Sequence, residues 1–160
     1  MSQRTLLVLG AGGHGKAVTE AALLSGEWQQ IAFVDDRWPE LREVFGWPVV
    51  ADVAGLAALN IPMSGAIAAV GNNALRKQWG KAIRAAGLPL ATVIHPRASV
   101  SASAVIGDGS AIMALAMVGV DVLIGKGAIV NANATVDHDA SLGDYVHLGV
   151  GVQLAGGVKI

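Results

Sequence analysis

Residues Ile94 to Ile160, taken six at a time, run IHPRAS VSASAV IGDGSA IMALAM VGVDVL IGKGAI VNANAT VDHDAS LGDYVH LGVGVQ LAGGVK I. Every hexad opens on Ile, Val or Leu, and every fifth position is Ala, Ser or Val. The charges of the segment (Arg97, Asp108, Asp121, Lys126, Asp137, Asp139, Asp144 and Lys159) avoid both columns. Neither the 3.6-residue period of a helix nor strand alternation generates this register. A hexad has the length of one short strand plus a bend. It cannot bury its aliphatic residue alone, but three hexads close a triangular turn, and stacked turns share one core. The small fifth residue suits a corner where walls converge. Glycines at the second position (Gly107, Gly119, Gly125, Gly143, Gly149) are expected to permit the bends.

The pattern resembles the hexapeptide-repeat acyltransferases, whose fold is a left-handed parallel β-helix. The hand comes from that resemblance, because general crossover rules favour the right hand.

The residues before Ile94 follow another rule. Thr5 to Leu9 predicts a strand, followed by Gly10-Ala11-Gly12-Gly13-His14-Gly15 and a helix through Ala17 to Leu24 that Gly26 stops. A second strand, Ile31 to Val34, ends on Asp35-Asp36. The Gly10/Gly12/Gly15 spacing, with Asp35 twenty residues beyond Gly15, is the dinucleotide fingerprint. Its physics serves any diphosphate: glycines admit a close ligand, and a helix start offers free N–H groups. The carboxylate after the second strand can accept from a sugar or base. Arg37 to Pro62 is poorly patterned, with a short helix expected over Asp52 to Leu59, and the tryptophans 28, 38 and 47 read as packing residues. Ala66 to Val70 predicts a third strand, Ala74 to Ala86 a helix, and Leu90 to Ile94 a fourth strand. Alternating strands and helices imply a small parallel sheet, half of a full dinucleotide fold. The chain is therefore expected to be an α/β, half-Rossmann-like parallel sheet over 1–93, followed by the β-helix over 94–160.

A glycine-rich nucleotide fold followed by hexads resembles the PglD/NeuD-type sugar O- and N-acetyltransferases of bacterial surface-glycan synthesis. The matching blocks are Gly10 to Gly15, Phe33 to Asp36, Ala69 to Asn73, Ile94-His95-Pro96 and Asn131 to Asp139. The resemblance implies a UDP-sugar, not NAD, lined by Gly12, Gly13, His14, Asp35, Asp36 and Gly71. It implies His138 as general base, with Asp139 as the acidic neighbour where relatives usually carry Glu; Asp137 is a second candidate partner. It also implies acetyl-CoA contacts at His147 and Gly156, no metal, and a homotrimer. Independently, His138 stands third in its hexad, off the core column, and a neutral imidazole can take a proton from an attacking amine. Gly156 lies one full turn further on, where it is expected to leave room for a thioester.

The expected function is thus acetyl transfer from acetyl-CoA to a UDP-linked 4-amino-deoxy sugar. Alternatives are O-acetylation of sialic acid or another sugar, a non-catalytic nucleotide-sugar-binding module, and an NAD-dependent enzyme. Composition is compatible: 53% apolar and 14% charged residues, a net charge of −1 without a basic cluster, and no cysteine. Nucleic-acid binding, disulfides and thiolate chemistry are disfavoured. No apolar run reaches a membrane span and no leader is evident, so a cytoplasmic location is expected. Ile160 falls part-way through a fourth turn of the column, which is expected if the chain is a truncated form.

Overall fold

The structure is a computed structural model that describes residues 3–160. The chain forms two compact units, Met1–Ala91 and Thr92–Ile160. Among the described residues, no helix is long and apolar enough to cross a membrane.

In the first unit, β1 (Thr5–Leu9) is an inner strand of the sheet. It pairs in parallel with β2 (Gln30–Val34) on one side and β5 (Gly65–Ala68) on the other. β1 is apolar at nearly every position because helices and strands hide both its faces; Leu6, Leu7, Val8 and Leu9 have no exposure. Helix α1 (Gly13–Leu24) leaves the glycine loop directly, and Gly26 ends it at φ +76°. Helix α2 (Asn73–Ala85) is capped by Asn72, whose side chain accepts from the Leu75 N–H.

The poorly patterned segment is more ordered than its sequence suggests. Glu43–Val44 (β3) and Trp47–Ala51 (β4) form a hairpin whose second strand runs parallel beside β2, giving the order β3-β4-β2-β1-β5. Its turn, Phe45-Gly46, has both residues at positive φ, and the phenylalanine hides that signal. The helix expected over Asp52 to Leu59 shrinks to a single 3₁₀ turn at Leu56–Ala58, with Asp52 Oδ1 accepting from Gly55 N–H upstream of it. Trp28 is buried and carries the Arg4 guanidinium 4.2 Å above its ring, a packing role. The stretch Leu90 to Ile94 is not one strand. Leu90 bridges Ala66 of the first sheet, whereas Val93–Ile94 pairs with Ala111–Ile112 of the second unit.

The second unit is a parallel β-helix. Its strands are two residues long and pair at an 18-residue offset, as in Met117↔Thr135 and Val118↔Val136. Three sheets result, begun by Val93–Ile94, Ser99–Val100 and Val105–Ile106. The first-position aliphatics Ile112, Val118, Ile124, Val130, Val136, Leu142 and Leu148 fill the core together with the small fifth-position residues. Ser110, the one hydroxyl in that small column, is fully buried; it donates to the Gly125 carbonyl and accepts from the Ala128 N–H. At the two ends of the column, Ile94 and Ile160 remain partly exposed.

The bends are not at the second-position glycines. They lie at the fourth position: Gly109, Leu115, Asp121, Gly127, Asn133, Asp139, Tyr145, Gly151 and Gly157 all have φ between +56° and +77°. The second-position glycines Gly107, Gly119 and Gly125 have a different cause. A Cβ on Gly125 would come within 2.6 Å of the Asp144 nitrogen on the next turn, so the walls close only over hydrogen.

Candidate active site

Two clusters of chemistry-bearing residues stand out, one in each unit. In the first, three loops leave the carboxyl ends of the adjacent strands β2, β1 and β5. Backbone bonds hold them together: Gly10 N–H to Val34 carbonyl at 2.8 Å and Ala69 N–H to Leu9 carbonyl at 2.7 Å. Gly10, at φ +103°, and Gly15 are glycines because a side chain would strike the Ala69 carbonyl or the Gly10 carbonyl. Gly12 and Gly13 are different. Nothing lies within 4 Å of where their Cβ atoms would be. They open the first turn of α1, whose N–H groups lack helical acceptors, and His14 follows half-buried in that turn.

Asp35 is buried, and its carboxylate is fully engaged inside the protein. Oδ1 accepts from the Arg37 N–H (3.0 Å) and Arg37 Nε (2.8 Å). Oδ2 accepts from the Ala11 N–H (2.9 Å) and Arg37 Nη2 (3.0 Å). Four donors match the roughly four lone-pair sites of a carboxylate. The Arg37 side chain, foremost among these partners, holds the Asp35 pKa down at about 2. The expectation that Asp35 accepts directly from a sugar or base therefore needs correction: its oxygens pin the glycine loop to the end of β2. Asp36 is exposed, and one oxygen caps the Val53 N–H at 3.0 Å.

Gly71 is exposed, and its carbonyl accepts from Arg76 Nη1 at 3.1 Å. Arg76, only 1% exposed, also donates to the Val70 carbonyl and Asn73 Oδ1. It organises the third loop from inside, and sequence reasoning passed over it. The available signal was spacing, since residues 76, 79, 80 and 83 form the buried stripe of α2.

The second cluster lies on the β-helix. His138 and Asp139 occupy a corner between the strands Thr135–Val136 and Ser141–Leu142. His138 Nδ1 lies 2.8 Å from Asp139 Oδ2, with both side chains well exposed. Asp139 sits at φ +60°, a region that Asp and Asn enter more readily than other side chains. The left-handed bend thus turns the carboxylate of one residue onto the ring of its predecessor. The hydrogen bond to Asp139, then the charge of Asp137, raises the His138 pKa above its ordinary value. Asp137 does not pair with the ring. Its Oδ1 caps the His138 backbone N–H at 2.8 Å.

Gly156 stacks against His138, as the 18-residue period requires. A Cβ there would lie 2.5 Å from Cε1 and Nε2 of the ring. The space left by the missing side chain is thus taken by the imidazole itself, not left open as expected. The Gly157 N–H donates to the His138 carbonyl at 2.9 Å and completes the corner. With Nδ1–H donated to Asp139, Nε2 carries the lone pair. His147 stands on another wall, in the strand His147–Leu148 that pairs with Ile129–Val130, and its Nε2 lies 3.4 Å from Asn131 Nδ2. Among the described residues, no group of three or more His, Cys, Asp or Glu is placed to hold a metal ion.

Residues 5–83 match the family model described as PglD N-terminal domain. UDP-N-acetylbacillosamine N-acetyltransferase of Bacillus subtilis (strain 168) is 37% identical over 114 residues, which is 69% of this chain and 52% of that protein. The chain thus spans about half the length of that curated relative. The acetyltransferase domain of PglB from Neisseria gonorrhoeae FA1090, solved with acetyl coenzyme A, is 43% identical with a TM-score of 0.92, over 99% of this chain and 77% of that one. PerB from Caulobacter crescentus, solved with CoA and GDP-perosamine, is 40% identical with a TM-score of 0.89, over 96% and 72%. The chain belongs to the PglD-type family of sugar acetyltransferases.

Proposed function

We propose that this protein is an acetyl-CoA-dependent N-acetyltransferase acting on a nucleotide-linked amino-deoxy sugar, with a UDP-linked 4-amino sugar as first candidate. The observation that carries the reading is the His138–Asp139 pair, 2.8 Å apart and laid over Gly156. Relatives named for amino-sugar acetylation, and solved with acetyl-CoA or CoA, support it.

In this reading Asp139 holds the ring by Nδ1, and Nε2 faces the acceptor amine. The amine nitrogen attacks the thioester carbonyl carbon. The C–N bond forms, the C–S bond breaks, and Nε2 takes the proton lost by nitrogen and returns it to the departing thiolate. Holding two substrates together contributes much of the acceleration. His147 and Gly156 are proposed coenzyme contacts. Gly12, Gly13, His14 and Gly71 are proposed to line the nucleotide sugar, with Asp35 and Asp36 shaping that site from behind. The column is proposed to wind left-handed and the assembly to be a homotrimer, as the resemblance implies, and the location is proposed to be cytoplasmic.

The test is release of free CoA from acetyl-CoA in the presence of a panel of UDP- and GDP-linked amino sugars. One or more should be turned over, and His138→Ala should lower kcat by at least about a hundredfold. Turnover that survives His138→Ala would remove the imidazole from the mechanism. Tight nucleotide-sugar binding without turnover would favour a binding module.

A further inference from the structure

The nucleotide cluster contains a side chain that neither the fingerprint nor the resemblance assigns. We infer that Arg37 is the specificity-determining residue of the nucleotide site, selecting keto bases, uracil and guanine, through the outer edge of its guanidinium. The inference rests on the nucleotide-sugar reading above and deepens it.

The argument starts from what Asp35 can no longer do. In a parallel sheet of this kind the glycine loop and helix start face the phosphates, and the end of the second strand faces the nucleoside. An acidic residue there ordinarily accepts from ribose hydroxyls. Here the Asp35 carboxylate already receives four donors from Ala11 and Arg37. Asp36, exposed beside it, already caps the Val53 N–H with one oxygen, so the donor left to meet a nucleoside at this edge is Arg37.

Arg37 is suited to that task. Its Nε and Nη2 each make one bond to Asp35, at 2.8 and 3.0 Å, which fixes the plane of the guanidinium. Both Nη1 hydrogens and the second Nη2 hydrogen remain outside this fork, on a side chain that is 60% exposed. The Ala11 N–H meets the same carboxylate oxygen as Nη2, so this edge adjoins the glycine loop. Next to it, Gly12 and Gly13 leave open space.

A guanidinium donates and cannot accept. Its complement on a base is a carbonyl oxygen. Uracil O4 and guanine O6 are such acceptors, whereas cytosine and adenine present an amino group at the corresponding position. Donor would then face donor, and an N–H on each side would lose its partner. Asp35 is a positioning residue in this arrangement and acts through Arg37.

Calorimetry on the full chain with UDP, GDP, CDP and ADP tests the assignment. UDP or GDP should bind at least about tenfold more tightly than the amino-base nucleotides, the scale of one charge-assisted hydrogen bond. Arg37→Gln, whose amide both donates and accepts, should narrow that gap. Arg37→Lys keeps the charge beside Asp35 but loses the planar fork, and it should weaken UDP or GDP while leaving the melting temperature near that of the wild type. Wild-type protein that binds CDP as tightly as UDP overturns the inference with no variant needed. So does an Arg37→Gln or Arg37→Lys protein that folds and keeps the wild-type preference. Should none of the four nucleotides bind, the nucleotide reading falls and this inference falls with it.

Discussion

At the scale of single residues, the proposed chemistry rests on an imidazole whose proton affinity is set by its immediate neighbours. Asp139, by hydrogen bond, and Asp137, by charge, stabilise the protonated ring and raise the His138 pKa. The base form that the proposed mechanism needs therefore appears only as pH rises through that raised value. Asp139→Asn removes the larger cause, so the acid limb of kcat/KM should move to lower pH. The rate should fall at least about tenfold, because the ring loses the carboxylate that selects its tautomer. An unmoved limb, read from a pH–rate profile, would break the link between Asp139 and His138. Gly156 supplies a second prediction. A methyl group there would collide with Cε1 and Nε2 of the ring at 2.5 Å. The ring is exposed and can swing aside, so Gly156→Ala should fold normally but lower kcat by about tenfold or more through misplacement of the base. Wild-type kcat in that variant would show that the stacked position of the ring does not matter.

At the scale of elements, the hexad is a strand pair followed by a left-handed bend at its fourth residue. Most bends use Gly, Asn or Asp, which tolerate positive φ, but Leu115 and Tyr145 do so against their preference. Leu115 is 62% exposed, so little packing offsets its strain. Leu115→Asn should stabilise the fold by about 0.5–1 kcal/mol. Gly151, at φ +73° with nothing within 4 Å of a Cβ, isolates the same effect in the other direction. Gly151→Ala should destabilise by about 1 kcal/mol from the dihedral alone. Chemical denaturation of both variants checks the pair, and opposite signs are required. The fourth-position rule was partly visible in the sequence, where Gly109, Gly127, Gly151 and Gly157 already share that column. The second-position glycines drew attention away from it because glycine has two unrelated uses, turning the chain and admitting a close neighbour.

At the scale of the whole molecule, one part of the column carries an apolar patch on its outer side. Val105 and Leu123 are neighbours in register and are 58% and 52% exposed; Val120, 56% exposed, stands at the corner just before Leu123. Such a patch fits the proposed threefold assembly, in which a second copy would cover it. Leu123→Glu places a charge there without touching the core. It should shift the protein from trimer toward monomer in sedimentation equilibrium while the circular dichroism spectrum is retained. A wild-type monomer at micromolar concentration would refute the assembly.

Periodicity carried most of the architecture. A register of six, held from Ile94 to Ile160, left few ways to bury one aliphatic residue per hexad. The glycine fingerprint and the terminal Asp35 likewise marked three loops at one end of a parallel sheet, because such local backbone demands are written in local residue types. His138 has an acidic residue on each side in the chain, and the resemblance, not the spacing, favoured Asp139 over Asp137 as its partner. Long-range placement was not legible. No spacing rule could say that Asp35 would be closed by Arg37 and Ala11, that the Arg76 guanidinium would bind the Val70 and Gly71 carbonyls, or that the ring of His138 would fill the space over Gly156. Those outcomes depend on which donors and voids meet after the chain has folded, and hydrogen-bond capacity and excluded volume settle them only in three dimensions.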